Sequence, residues 1–471
     1  MQHSKLITAL RACQKNELTV LRRFVASPYF NRREELSVLL EYLLRHWPDF
    51  VNVKRQAAFQ AAFPNQAFDE KQCRYLLSDL TQLIETFWAV EKWKQSDRQS
   101  DLALLESASE RQSEKTYRKV NRRLAHELSE PETIVDSRFF LDQLHWSEAS
   151  EKHFARSRVR QFDDSVQRAS DNLDRYYFLQ KLKFACGMVA RQAIFKGDYD
   201  LGLSEHWIAH LAEKNFLDTP VIRLYFTVFQ ALQYEQDESH FLALRDLLLT
   251  GETAVFSQPD LEEVFRAAIN YCARKIRQGR EDYAEKALEL YTEGLKKQAF
   301  FDNGFLSPWT FTNVVKLSLR LKRYDWVEQF IREYAPQLPV DFRENALHYN
   351  LAELFYYTQR SDEAQQHLIK VAYSDLNYYL GARVMLAKIY HESGDTEPLL
   401  SLLAAFMIFL KRNKQISSDL KQTYLNFCDI LFQLIRRHPK KMAALGETIR
   451  TTSLLTDRSW LLAQYEASLQ P

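Results

Sequence analysis

Glycine is nearly missing from this chain, with 10 in 471 residues and none before Gly187, against a usual share of about 7%. Sheets, hairpins and the short loops of α/β folds draw on glycine for positive φ, so few such turns are expected. No G-x-G occurs, which excludes a dinucleotide fingerprint. Gly197 and Gly202 in GDYDLGLS have the gap of a Walker A loop, but Leu203 stands where the phosphate-binding lysine must be. Proline is also scarce, at 12 residues. The five cysteines (Cys13, Cys73, Cys186, Cys272, Cys428) have no metal-ligand spacing and sit in apolar helical patterns, so buried free thiols are expected. Long apolar runs are absent as well. The longest, Leu399 to Leu410, falls short of the roughly 20 residues that span a bilayer, and the first residues lack the apolar core of a signal peptide. A soluble cytoplasmic protein with no membrane partner is the expectation. The balance of 63 Lys+Arg against 62 Asp+Glu leaves +1, so any charged site must be local.

What is present is helix. Apolar residues make 46% of the chain and charged residues 27%, enough for a large core. In the second half, amphipathic stretches alternate with turns at Gly197-Asp198, Gln236-Asp237, Gly279-Arg280, Arg323-Tyr324, Arg360-Ser361, Gly394-Asp395 and His438-Pro439, 34 to 44 residues apart. This rhythm predicts a row of antiparallel helix pairs, because one hairpin cannot bury its apolar stripe alone and must stack on neighbours. Three regions are expected: an N-terminal helical region, 1–95; a connecting helical region with a basic helix, 96–170; and the repeats, 171–471. The polar run Lys94 to Asp101 marks the first boundary or a turn within one array. Asp69 with Gln72 reads as the capped start of a long helix carrying Leu76, Leu80, Leu83, Phe87 and Val90 on one stripe. Breaks are expected before Pro28, Pro48, Pro64 and Pro131.

Two units, Ala346 to Val371 and Gly381 to Phe406, resemble tetratricopeptide repeats. Leu351, Ala352, Phe355, Ala364 and Leu368 match the packing positions in the first, and Leu386, Ala387, Tyr390 and Gly394 in the second, although Leu399 replaces the small residue of helix B. The resemblance implies an all-α, right-handed α-solenoid whose first helices line a concave surface. Carrying over the groove-facing positions selects Tyr349, Glu353, Tyr356, Lys388 and His391, and one repeat earlier Trp309, Thr312 and Lys316. The lysine and asparagine clamp that such domains use for a C-terminal carboxylate is not reproduced.

Chemistry-bearing constellations are few. His206 and His210 share a helix face, but no third metal ligand accompanies them, and packing histidines are expected. There is no G-x-S-x-G elbow. Neither a catalytic residue, a metal nor a cofactor is therefore expected. The strongest charge signal is Arg111 to Arg123, with six basic residues and one acidic. On one helix, Arg111, Lys115, Arg118 and Arg122 would form a basic stripe opposite Tyr117, Val120, Leu124 and Leu128. Arg156, Arg158 and Arg160 form a second, smaller cluster, offset by Asp163 and Asp164. The leading expectation is a non-catalytic scaffold or adaptor that binds a protein partner through aromatic anchors on a solenoid surface. The alternative is a nucleic-acid or ribonucleoprotein-associated protein using the basic face.

Overall fold

The computed structural model describes residues 1, 4–95, 97–129, 134–157, 161–192, 197–213, 215–250, 256–372, 375–436 and 439–469. The chain divides into two compact units, Met1–Tyr177 and Phe178–Pro471. The first holds α1 (Lys5–Ala12), α2 (Glu17–Val25), α3 (Glu34–Leu44), α4 (Arg55–Ala62), α5 (Glu70–Lys94), α6 (Asp97–Glu110), α7 (Glu114–Glu127) and α8 (Ser137–Ser157). Helix α9 (Ser165–Gln192) runs across the division. The second unit continues with α10 (Glu205–Glu213), α11 (Pro220–Gln233), α12 (Glu238–Leu249), α13 (Gln258–Arg277), α14 (Asp282–Lys296), α15 (Pro308–Arg320), α16 (Tyr324–Tyr334) and α17 (Val340–Tyr357). After these come α18 (Ser361–Leu368), α19 (Leu376–Ser393), α20 (Thr396–Arg412), α21 (Ser418–Arg436), α22 (Pro439–Thr451) and α23 (Arg458–Leu469). Among the described residues the protein is all-α apart from one hairpin, β1 (Phe301–Asp302) with β2 (Phe305–Leu306), closed by Asn303-Gly304 at φ 49° and 81°. That Asn-Gly pair is the strongest short-range hairpin signal a sequence offers.

In the first unit, Asp69 caps α5 by accepting from the Gln72 amide at 2.9 Å, as the sequence predicts. Cys73, Leu76, Leu77, Leu80, Leu83, Ile84 and Phe87 are buried because α1, α2 and α3 all pack on α5. Helices α2 and α4 stop before Pro28 and Pro64, whose rings forbid the α conformation at the preceding residue. The expected break at Glu130-Pro131 lies outside the described residues. The run Lys94 to Asp101 is crossed by a short link between α5 and α6.

The second unit is built on one recurrent turn. Gly279, Lys322, Gln359 and Gly394 follow α13, α15, α17 and α19 with φ of 90°, 57°, 60° and 79°. In each case the next amide reaches back across the turn, as in Arg280 to Lys275, Arg323 to Ser318, Arg360 to Phe355 and Asp395 to Tyr390, at 2.8–3.0 Å. This Schellman arrangement satisfies the last carbonyls of the helix and ends it. Lysine and glutamine occupy two of these left-handed positions, so the glycine shortage does not remove the turns. The expected turn at Gly197-Asp198 differs: residues 197–204, which precede α10, form neither helix nor strand. His438 lies outside the described residues.

Each helix before such a turn packs on the one after it, and α15, α17 and α19 also pack on one another in succession. Buried aromatics fill the seams, with Phe241 stacked on Tyr271 at 4.4 Å and Phe311 on Phe330 at 5.4 Å. Ion pairs recur across neighbouring hairpins: Arg280 with Glu238 at 2.5 Å, Arg320 with Glu281 at 2.5 Å, and Arg323 with Glu285. These pairs are exposed and are worth at most about 1 kcal/mol each, whereas burying a single Leu or Phe contributes about 1.5–3 kcal/mol. Packing therefore dominates.

Left-handed φ costs an L-residue about 1–2 kcal/mol, while glycine adds about 0.4–1 kcal/mol of unfolded-state entropy to be lost. Gln359→Gly should therefore raise unfolding free energy by about 0.5–1 kcal/mol, and Gly394→Gln should lower it similarly. Denaturant unfolding measures both. Equal signs for the two substitutions would contradict this account of the turn.

Candidate functional site

Five of the eight predicted groove residues meet in one place. Lys316 from α15, Tyr349, Glu353 and Tyr356 from α17, and Lys388 from α19 line a cleft of about 420 Å³. Its wall is completed by Tyr357 on α17, Asn377, Gly381, Val384 and Met385 on α19, Tyr424 on α21, and Thr456 and Asp457 before α23. Helical periodicity explains the convergence: Tyr349, Glu353 and Tyr356 recur at three- and four-residue steps and share a face. Gly381 gives Tyr349 its room, since a Cβ there would stand 2.8 Å from the phenol oxygen.

The other three lie at the margins. Thr312 bonds the Tyr378 hydroxyl at 2.8 Å, and the Tyr378 ring packs tilted against that of Tyr349. Trp309 is 65% exposed in the first turn of α15 and is not part of the cleft wall. His391 meets Trp460 edge to face at 5.5 Å. Trp460 and Tyr356 both donate to Glu392 Oε1, at 2.6 and 2.7 Å, which fixes that rim. Burial first, and then Glu392 accepting its proton, push the Tyr356 phenol above its ordinary range.

Charge inside the cleft is unevenly satisfied. Lys388 Nζ donates to Asp457 Oδ1 at 2.9 Å and lies 5.0 Å above the Tyr356 ring and 5.6 Å from that of Trp460. A lysine expected to select a partner is thus already engaged by the chain itself. Asp457 reaches it from 69 residues downstream, in a left-handed turn (φ 50°). No repeat pattern points to Asp457, Trp460 or Tyr424, although the helical period of α21 could have offered the last.

Glu353 is the opposite case. It is 9% exposed, and its Oε2 has no hydrogen-bond partner. Comparison with Asp260, the buried carboxylate of α13, shows what satisfaction looks like: Lys183, the Tyr225 hydroxyl at 2.7 Å and the Ser257 hydroxyl at 2.6 Å all donate to it. Desolvation raises the Glu353 pKa, with Lys316 and Lys388 opposing and Asp457 reinforcing the shift.

The basic face in the first unit needs a correction. Gln112 takes a left-handed φ of 54° and ends α6, so Arg111 lies in the turn before α7 and folds back onto Ser107. It is not part of one stripe with the others. Arg118 is paired with Glu114 at 2.5 Å, and Arg123 with the buried Asp101. Lys115, Lys119 and Arg122 remain on α7 without an ion pair among the described residues. Arg156 donates to Ser109 at 2.9 Å, and Arg158 and Arg160 lie outside the described residues. His210 packs against Phe178 and Phe216. All five cysteines are buried. Among the described residues, no helix is long and apolar enough to cross a membrane, and no cluster of three or more His, Cys, Asp or Glu could hold a metal ion.

Compared with protein-family models, curated proteins and solved structures, the chain matches none of them.

A carboxyl group whose pKa is raised on folding lowers stability as pH climbs through its folded pKa, because the unfolded chain ionises first. Glu353→Gln should therefore be more stable than the native chain at pH 7, with the gain shrinking toward pH 4. Unfolding midpoints across that range test this. A gain that grows on acidification would contradict it.

Proposed function

We propose that the chain is a non-catalytic interaction module whose second unit docks a protein partner at the Tyr349–Glu353–Lys388 cleft. The observation that carries this reading is the origin of the cleft wall: alternate helices α15, α17, α19 and α21 supply nearly all of it. Stacked antiparallel pairs forming a tetratricopeptide-like α-solenoid would present their first helices in this way. The repeated left-handed turns and the equal 32-residue step from Tyr349 to Gly381, Glu353 to Met385 and Tyr356 to Lys388 support that arrangement. Tyrosines provide anchoring area with little rotamer entropy to lose, and the polar groups between them provide selectivity.

Tyr357 is half-exposed at the cleft wall, which makes it the position for a photo-crosslinking residue. Crosslinking there in cells of the native host should give one discrete protein adduct. Asn377→Trp, which fills the mouth of the cleft, should abolish it. The same crosslinker at exposed Tyr199, outside the cleft, should give none. Identical adducts from both positions, or an adduct indifferent to Asn377→Trp, would overturn the assignment.

A second reading rests on Lys115, Lys119 and Arg122, spaced to share one face of α7 and left without ion-pair partners among the described residues. On this reading the face docks a nucleic-acid backbone. Three phosphate contacts would give a log–log salt slope of about −2 for single strands, and Glu at all three positions would remove binding. Absence of binding to single-stranded RNA and DNA at low salt would retire it.

A further inference from the structure

We propose that the cleft receives a cationic side chain, arginine or lysine, from the partner, with Glu353 as its acceptor. This inference rests on the docking role of the cleft. The chain itself displays the construction once: the Lys388 ammonium sits on Asp457, between the faces of Tyr356 and Trp460. A carboxylate backed by electron-rich rings is a cation receptor, since the ring quadrupole adds to the charge attraction.

Glu353 lines the same cleft together with further tyrosines, and no cation among the described residues donates to its Oε2. Its Oε2 is buried, unpartnered and part of the cleft wall. Tyr349, Tyr357 and Tyr424 line the same space. Burying a carboxylate without a donor is unfavourable, and a charge-assisted hydrogen bond from an entering guanidinium or ammonium removes that penalty. Lys388 is not available for this, because Asp457 holds it. Lys316, the first of the nearby cations acting on Glu353, is exposed and makes no hydrogen bond to Oε2. It opposes an entering cation without replacing it. An anionic side chain would meet the Glu353 carboxylate at close range in a low-dielectric space, which disfavours it.

The full chain, carrying ¹³C-labelled tyrosine, is titrated with acetyl-Gly-Arg-Gly-amide and its lysine, citrulline and glutamate counterparts. The arginine or the lysine peptide should shift the signals of Tyr349, Tyr357 and Tyr424 saturably, and the citrulline and glutamate peptides should not. Glu353→Gln should weaken that binding at least tenfold. Lys316→Gln, at an exposed position, should tighten it several-fold. Equal binding of arginine and citrulline, preference for glutamate, native affinity in Glu353→Gln, or no saturable shift with any peptide would overturn the proposal. The docking role is judged separately by the Tyr357 adduct: an adduct that persists in Glu353→Gln leaves the docking role standing and removes the cation.

Discussion

The second unit depends on a single backbone event, the left-handed residue that ends a helix and hands the chain to the next. Gly279, Lys322, Gln359 and Gly394 each perform it, and each returns the following helix against the one just completed. Helices α15, α17 and α19 pack in succession, and Phe241, Tyr271, Phe311 and Phe330 lie buried between elements. The salt bridges that recur from hairpin to hairpin set register at the surface, while the weight of the fold falls on the buried rings and aliphatic side chains.

Much of this was legible in residue order. The turns at Gln236, Gly279, Arg323, Arg360 and Gly394 fall between helices where the alternation of amphipathic stretches places them. What glycine content could not reveal was how turns form without it. Lysine and glutamine carry no signature for positive φ, so Lys322 and Gln359 are silent in the sequence. Gln112 is silent in the same way, and it breaks the helix that a continuous basic stripe from Arg111 to Arg122 would require.

The cleft divides along the same line. Lys316, Tyr349, Glu353, Tyr356 and Lys388 converge because helical spacing puts them on one face, and spacing can be read. Asp457 arrives from a distant loop by a long-range contact that no local pattern encodes. Its arrival changes the chemistry. Lys388 is paired with Asp457, while Glu353 Oε2 is left without a donor, so on the proposed reading the site turns on a buried acceptor rather than on exposed lysines. An exposed lysine gives up little when it binds. A buried carboxylate has already lost its water, so its satisfaction discriminates between ligands.

Hydrogen exchange on the full chain, with and without the partner captured at Tyr357, tests the central claim most directly. Docking at the cleft predicts slowed amide exchange in residues 349–357, 377–388 and 452–458, with α7 and α12 unchanged. Protection confined to α7, or spread without regard to these segments, would contradict it.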